Sequence, residues 1–212
     1  MVESMRRIPH VSHCEEADVT ELAALREELK PAAEKRGRKL TFLPFIAKAL
    51  VTALKEFPSL NAVLDEEKQE IVLKKYYNLG VAVAAEQGLI VPVVKNAERK
   101  DLWELGGEIA ELAGQVRANR IKLQDIQGGT FTITNIGPIG GLYATPIILH
   151  PQTGILALMK MREEPKVRGG EIVIRKVMNL VLSFDHRVLD GAEAARFMAR
   201  LVDLIEAPRQ LL

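Results

Sequence analysis

The 212-residue sequence has a single cysteine, Cys14, and few aromatic residues. One cysteine excludes a disulfide within the chain and a metal site built from cysteines alone, and it fits a reducing compartment. Aromatic residues make up only 5% of the chain, which argues against a surface on which nucleic-acid bases stack. These two shortages argue against a disulfide-stabilised secreted protein and against a single-strand nucleic-acid binder.

The sequence also lacks a net charge and a long apolar run. Lys and Arg number 29 against 28 Asp and Glu, a formal charge of +1. This balance gives no basic patch for nucleic acid or for an anionic membrane. Apolar stretches such as 40–51 and 81–85 are too short or too interrupted to span a bilayer, and no signal-peptide pattern opens the chain. We therefore expect a cytoplasmic protein without nucleic-acid or membrane partners.

What the sequence does contain is typical of a globular protein with a sizeable core, since 48% of its residues are hydrophobic and 27% are charged. Apolar residues at helical spacing predict helices that begin after Asp18, Thr41, Asp101 and Asp190. Asp18 with Glu21 has the spacing of a capping box, and Thr41 is the predicted cap of the second helix.

Strand-like segments occupy much of the remaining chain. The predicted strands are 8–17, 71–73, 79–85, 89–94, 130–134, 155–159 and 171–184. We expect 89–94 to be a strand buried on both faces because it is almost continuously apolar, and 163–170 to be a turn. No repeat or linker divides the chain, so residues 1–212 are predicted to form a single α+β domain.

One segment, 182–191, combines a histidine with a high density of charge. Its apolar strand leads to His186 just before a helix, and Asp185, Arg187 and Asp190 lie within five positions of the histidine. Protein cores tolerate such charges only when they are paired. The pattern His-x-x-x-Asp-Gly is weak by itself, and a surface turn with a solvated histidine explains it equally well.

A second segment places a hydroxyl beside a flexible loop. The predicted strand 130–134 ends at Thr134, and glycines at 137, 140 and 141 follow. Such a strand end can present a hydrogen-bond donor to a substrate, although threonines are also common in ordinary strands. His10, His13 and His150 have no metal-ligand spacing and no acidic cluster nearby, so we expect no metal site.

Together these segments resemble the catalytic domain of the dihydrolipoamide acyltransferases, the E2 components of 2-oxo acid dehydrogenase complexes. The resemblance covers almost the whole chain, because several further blocks match in the same order. These blocks are 8–11 (IPHV), 16–20 (EADVT), 40–45 (LTFLPF), 57–62 (FPSLNA), 88–93 (GLIVPV) and 145–148 (TPII).

The resemblance implies a chloramphenicol-acetyltransferase-like mixed β-sheet with flanking helices, assembled as a homotrimer with each active site between two chains. One chain would supply His186 as the catalytic base, and its neighbour would supply the hydroxyl of Thr134. Asp190 matches the structural aspartate of the motif. We expect it to pair with a cation near the N-terminus, for which Arg6, Arg7 and His10 are candidates, so that replacing it by asparagine lowers activity.

The implied reaction moves an acyl group between dihydrolipoamide and coenzyme A, both of which are substrates, without a metal. The trimers of the family assemble into a cubic or icosahedral cage. The E1 and E3 components of such complexes associate through lipoyl and peripheral-subunit-binding domains, which are not expected in residues 1–212. In a eukaryote the resemblance would place the protein in the mitochondrial matrix rather than the cytoplasm.

Several alternatives stay open at this point. Residues 134–137 are closer to the acetyl and branched-chain members, whereas 141–145 are closer to the succinyl ones. A related acetyltransferase that acts on a small hydroxylated compound is a second possibility, and a cage-forming core without catalysis is a third. Condensation domains share the histidine motif, but they typically carry a second histidine where this sequence has Asp185.

Overall fold

Helices and strands alternate along the chain in the computed structural model, which describes residues 1–86 and 88–212. The helices in these residues are α1 (Val2–Arg7), α2 (Thr20–Lys35), α3 (Leu43–Glu56), α4 (Leu102–Arg117) and α5 (Gly191–Glu206). The strands are β1 (His10–Asp18), β2 (Ala62–Asp65), β3 (Glu70–Leu73), β4 (Leu79–Ala85), β5 (Gly88–Ile90), β6 (Val93–Val94), β7 (Phe131–Asn135), β8 (Gly154–Leu158), β9 (Arg162–Arg168) and β10 (Glu171–Asp185). Among the described helices, none has the length and apolar character that crossing a membrane requires.

Eight of the described strands form one mixed sheet, with the order β1-β10-β8-β7-β4-β5. Strands β4, β7 and β8 run parallel to one another, whereas β10 is antiparallel to β1, β8 and β9. Strand β6 adds to β4, and β2 with β3 forms a separate hairpin. The predicted mixed sheet with flanking helices is therefore present.

The main hydrophobic core lies on one face of this sheet. Alternate residues of β7, such as Phe131 and Ile133, and of β10, such as Leu182 and Phe184, join Phe197 of α5 in this core. Because side chains alternate along a strand, the residues between them lie on the opposite face. Thr134 of β7 and Asp185 of β10 therefore share the face that points away from the helices.

Helices α3, α4 and α5 form where their apolar patterns predict them. Helix α4 begins with a capping box in which Asp101 accepts from the Glu104 amide, and Glu104 in turn accepts from the Asp101 amide. Helix α5 begins at Gly191, with Asp190 as its N-cap. Helix α3 ends just before Pro58, although its N-cap is Phe42 rather than the predicted Thr41.

Asp18 does not form the predicted capping box with Glu21. Helix α2 begins at Thr20 after Val19, and the Asp18 carboxylate instead accepts from Thr20, Arg168 and Arg175. The two arginines come from β9 and β10, about 150 residues away in sequence. These long-range ion pairs outcompete the local cap.

Two strand predictions were wrong in their details. Segment 89–94 is not one buried strand, because β5 ends before Pro92 and Leu89 is 59% exposed; proline lacks the amide hydrogen that a central strand requires. Segment 163–170 is not a turn, since most of it forms β9, and only Gly169 and Gly170, both with positive φ, make the reversal. Helix α1 was not predicted.

Candidate active site

His186 lies in a tight turn at the end of β10. The carbonyl oxygen of Asp185 accepts from the amides of Val188 (3.0 Å) and Leu189 (3.1 Å), which closes the chain into a turn. The His186 amide donates to the carbonyl of Pro9 at 3.2 Å, so the turn is also attached to the residue that precedes β1. The backbone that carries the imidazole is thus fixed at both ends.

The His186 side chain is exposed and packs against one ring. Its centroid lies 5.8 Å from that of Phe184, and the two planes are tilted by 31°. Within residues 1–86 and 88–212, neither ring nitrogen of His186 has a hydrogen-bond partner. The imidazole is therefore accessible to a substrate or to another chain, and it can accept a proton in its neutral form.

The charged neighbours of His186 pair with each other across the turn. The carboxylate of Asp185 is 2% exposed and accepts from the Arg187 guanidinium at Nε (3.0 Å) and Nη2 (2.8 Å), and also from the Arg187 amide (3.0 Å). This two-pronged contact is the strong form of an arginine–carboxylate pair. The expectation that charges here would be paired is confirmed for Asp185 and Arg187, whereas Asp190 forms no ion pair in the described residues.

The ion pair continues outwards from Arg187. Its Nη1 donates to Glu66 at 2.6 Å, Glu66 also accepts from Arg7 at 3.2 Å, and Arg7 contacts Glu3 at 3.2 Å. The hydrogen bond to Asp185 raises the pKa of Arg187 above its ordinary value, and the hydrogen bond from Arg187 lowers the pKa of Glu66. Sequence reasoning missed Glu66, which lies 121 positions from Arg187 with no local pattern linking them.

Asp190 caps helix α5 within the chain. Its carboxylate accepts from the Glu193 amide at 2.7 Å, which satisfies one of the free amides of the first helical turn. None of the three predicted cations pairs with it here: Arg7 binds Glu66 and Glu3, and His10 Nε2 accepts from the Ile148 amide at 3.1 Å. The structure shows no contact between Arg6 and Asp190.

Thr134 lies on β7, two strands away from the strand that leads to His186. The pairing aligns Thr134 with Ala157 of β8, and Ala157 with Val181 of β10. The side chain is partly exposed, and its hydroxyl makes no hydrogen bond to any other described part of the chain. It is therefore available as a donor to a ligand or to a neighbouring chain.

One chain does not bring Thr134 and His186 together. Val181 of β10 is level with Thr134 across the sheet, because both residues pair with Ala157 of β8. His186 follows Val181 by five positions along β10 and the turn after it. At about 3.3 Å per strand residue, the two side chains are separated by roughly 16 Å along the strands alone. A site that uses both groups therefore has to form between two chains.

The loop after β7 provides an open, apolar surface. Gly140 and Gly141 have φ values of +139° and +91°, which favour glycine, and Ile139 is 86% exposed. A cleft of about 280 Å³ lies beside this loop. The residues that line the cleft are mostly apolar, and the cleft has room for an acyl chain or a thiol-bearing arm. These lining residues are Phe42, Ile46, Asn135, Gly137, Pro138, Leu158, Met159, Lys160, Met161 and Met178.

The histidines do not form a metal centre in the described residues. His13 contacts Glu15 at 2.9 Å, whereas His10 bonds the backbone at Ile8 and Ile148. No group of three or more His, Cys, Asp or Glu side chains in residues 1–86 and 88–212 is arranged to hold an ion.

Solved structures of known proteins share this arrangement of strands and helices. A dihydrolipoamide acetyltransferase from Azotobacter vinelandii is 42% identical and superposes with a TM-score of 0.97, covering 99% of this chain and 86% of that one. Its study concerned the role of a serine, a histidine and an asparagine in the catalytic mechanism. The cubic core of a pyruvate dehydrogenase multienzyme complex matches with the same values. A chloramphenicol acetyltransferase, 17% identical with a TM-score of 0.59 over 96% of this chain and 92% of that one, confirms the predicted fold.

Curated relatives match along the whole chain. The dihydrolipoyllysine-residue acetyltransferase component of pyruvate dehydrogenase complex from Bacillus subtilis is 44% identical over 212 residues, and the lipoamide acyltransferase component of branched-chain alpha-keto acid dehydrogenase complex from Pseudomonas aeruginosa is 43% identical over 211. The chain covers 48% and 49% of these proteins, so it spans about half their length. The family model for the catalytic domain of 2-oxoacid dehydrogenase acyltransferases matches residues 1–212. The chain therefore belongs to the 2-oxoacid dehydrogenase acyltransferase family, of which it contains the catalytic domain.

Proposed function

We propose that this chain transfers an acyl group between dihydrolipoamide and coenzyme A, as the catalytic core of a 2-oxo acid dehydrogenase complex. The observation that carries the proposal is the matching position of three residues. In the Azotobacter acetyltransferase the studied serine and histidine are 52 positions apart, and the asparagine follows the histidine by four. Thr134, His186 and Asp190 have the same two separations in this chain.

The first step needs a thiolate. A free thiol with a pKa near 8.5 is only a few per cent ionised at pH 7. The exposed imidazole of His186 takes the proton from the coenzyme A thiol as its sulfur attacks the carbonyl carbon of the acyl thioester. A positioned general base of this kind contributes roughly 10²–10⁴-fold to the rate.

The second step needs a hydrogen-bond donor. Attack on the thioester carbonyl forms a tetrahedral intermediate with a negatively charged oxygen, to which the Thr134 hydroxyl donates. Collapse of the intermediate breaks the bond to the dihydrolipoamide sulfur, and the imidazolium of His186 returns its proton to that sulfur. Loss of one such donor costs about 2.7–4 kcal/mol of transition-state stabilisation.

Asp190 acts in this proposal through position rather than charge. Its carboxylate caps α5, and an asparagine caps a helix equally well. The Azotobacter enzyme has an asparagine at the corresponding spacing. We therefore revise the expectation drawn from the sequence: Asp190→Asn keeps the cap and should keep most of the activity.

A homotrimer supplies both halves of each site, because His186 of one chain has to meet Thr134 of its neighbour. The separation of these residues within one chain supports this arrangement. We further propose that the trimers form a larger cage, since a cubic core of a pyruvate dehydrogenase complex is among the matching structures. Residues 1–212 form its single catalytic domain, and E1 and E3 would associate through other domains.

The residues at 134–137 favour two acyl groups as substrates, acetyl and branched-chain acyl. The acetyltransferase from Bacillus and the branched-chain enzyme from Pseudomonas differ by only one percentage point in identity to this chain. Neither relative is therefore favoured over the other by overall similarity. We place the protein in the cytoplasm, a reducing compartment in which Cys14 stays a free thiol.

The test is a thioester-exchange assay on the purified chain with coenzyme A and acetyl-, isobutyryl- and succinyl-dihydrolipoamide. We expect turnover of the first two, and a loss of turnover in His186→Ala that leaves the assembly intact. A chain that transfers acyl groups only to an alcohol acceptor would be a small-molecule acetyltransferase. A cage with no exchange at any acyl group would be a purely structural core, and either result would overturn the proposal.

A further inference from the structure

We infer that Glu66, on a separate hairpin, is a positioning residue that holds the turn of His186 in place through Arg187. The inference rests on the proposed function, because it concerns the efficiency of the reaction at His186. No described contact joins Glu66 to His186 itself. Glu66 would therefore act only through the guanidinium between them.

The geometry of the turn makes Arg187 the controlling side chain. Asp185 and Arg187 immediately flank His186, and their side chains join across it through two guanidinium nitrogens. The Asp185 carboxylate also accepts from the Arg187 amide at 3.0 Å. Rotation of Arg187 away from Asp185 would remove the side-chain bridge across the imidazole and leave a buried carboxylate without its cation.

Glu66 is what holds the outer end of Arg187. Its Oε1 accepts from Nη1 at 2.6 Å, the guanidinium nitrogen that does not bind Asp185 in this structure. Glu66 sits in the turn between β2 and β3, and a bridge between Val63 and Gln152 attaches this hairpin to the loop before β8. The arginine is therefore held between two independently anchored carboxylates.

The exposure of Glu66 indicates a role in alignment more than in stability. Its side chain is 38% exposed, and exposed ion pairs add little to the free energy of unfolding. Catalytic rates, in contrast, fall steeply when a base is displaced by a fraction of an ångström to an ångström. The hydrogen bond from Arg187 lowers the pKa of Glu66, so the carboxylate is charged at the pH of the reaction.

The experiment compares Glu66→Gln with Glu67→Gln in the intact assembly. Glu67 is the next residue of the same turn, is exposed, and has no ion pair among the described residues. We expect Glu66→Gln to lower kcat about three- to tenfold, with KM for both substrates unchanged. Glu67→Gln should match the wild type, and all three proteins should share one melting temperature.

A coupling measurement separates positioning from a general charge effect. A lysine at position 187 has no planar guanidinium with which to bind Asp185 and Glu66 at the same time. In the Arg187→Lys background, Glu66→Gln should therefore have almost no further effect on kcat. Salt offers a second readout, since screening of the exposed pair should lower the wild-type kcat towards that of Glu66→Gln while the variant stays flat.

The outcomes distinguish this inference from the proposed function. An inactive wild-type assembly would defeat the proposed function itself. An active wild type, an inactive His186→Ala and a Glu66→Gln variant with unchanged kcat would overturn the role of Glu66 alone. A fall in melting temperature with unchanged kcat, or a full Glu66 effect in the Arg187→Lys background, would likewise overturn it.

Discussion

The two ends of the sheet that carry His186 and Thr134 are built in opposite ways. Around His186, two amides of the turn donate to the Asp185 carbonyl, the His186 amide donates to the Pro9 carbonyl, and Arg187 pairs with the buried carboxylate of Asp185. Around Thr134, the strand runs into a glycine loop that exposes Ile139, and the hydroxyl lacks a partner in the described part of the chain.

The difference is that contacts within the chain fix the surroundings of His186 but leave the Thr134 hydroxyl unpaired in the described residues. In the proposed mechanism, His186 transfers the proton, and contacts inside its own chain align it before any substrate binds. The Thr134 hydroxyl and its loop are accessible, and in the proposed mechanism a second chain and the substrates complete their surroundings. Substitutions of His186 and of Thr134 should therefore both lower the catalytic activity strongly, but they should change the free energy of unfolding by different amounts.

The largest effect is expected at His186. Replacing it by alanine removes the general base, and kcat should fall by roughly 10²–10⁴-fold. The side chain is exposed, so thermal unfolding should be unchanged. His13→Ala is a matched control, because this histidine pairs with Glu15 on β1 and should leave kcat at the wild-type value; equal losses in both variants would contradict the assignment.

The next effect is expected at the other end of the sheet. Thr134→Val keeps the shape of the side chain and removes its hydroxyl, and it should cost about 2.7–4 kcal/mol of transition-state stabilisation, measured as a fall in kcat/KM. Thr134→Ser retains a donor and should keep most of the activity. A valine variant as active as the serine variant would show that the hydroxyl takes no part.

A stability effect is expected at Asp18, the last residue of β1, which contacts neither His186 nor Thr134. Burial of this carboxyl would raise its pKa, but hydrogen bonds from Arg175, Thr20 and Arg168 outweigh burial and lower the pKa to about 2 from 3.8. The folded pKa lies below the unfolded one, so the stabilisation is present above pH 4 and is lost as the pH falls towards 2. The difference corresponds to roughly 2 kcal/mol at neutral pH.

Urea unfolding of Asp18→Asn at pH 7 and near pH 2.5 measures this contribution. The variant should be less stable than the wild type at pH 7, and the difference should shrink to about a third near pH 2.5, because that pH is still just above the folded pKa of Asp18; kcat at neutral pH should be unchanged. Asp203→Asn alters an exposed carboxylate and serves as the control. A difference between Asp18→Asn and the wild type that is the same at both pH values would refute the linkage.

The smallest effect separates charge from capping at Asp190. Asp190→Ala removes the acceptor for the Glu193 amide and should lower the free energy of unfolding by about 1 kcal/mol. Asp190→Asn should be within a few tenths of a kcal/mol of the wild type, as measured by urea unfolding. If the asparagine variant loses as much as the alanine variant, the carboxylate charge is what matters.

Local patterns predicted the elements whose contacts are local. The apolar stripe of α4 and its N-cap at Asp101 appear in the structure as expected. Ribbon β9 was mistaken for a turn because its charges are satisfied at long range, for example by Lys166 with Glu16, 150 positions apart. Such pairs leave no periodic signal in the sequence.

The same limit applies to the site. The motif around His186 and the strand end at Thr134 were predicted as candidate groups; the structure shows both side chains accessible, and their catalytic roles stay predictions. Glu66 could not be predicted, because a hairpin 121 positions away supplies it. In the proposed mechanism, His186 meets Thr134 of a second chain, and no pattern within one chain encodes how two chains dock.

Co-assembly of two inactive variants tests the shared site most directly. His186→Ala and Thr134→Val chains, coexpressed in equal amounts, would place an intact histidine beside an intact threonine at about a quarter of the interfaces of a random trimer. We predict that the mixed assembly regains about a quarter of the wild-type thioester exchange, while each variant alone stays inactive. Mixed trimers with no recovered activity would contradict a site shared between chains.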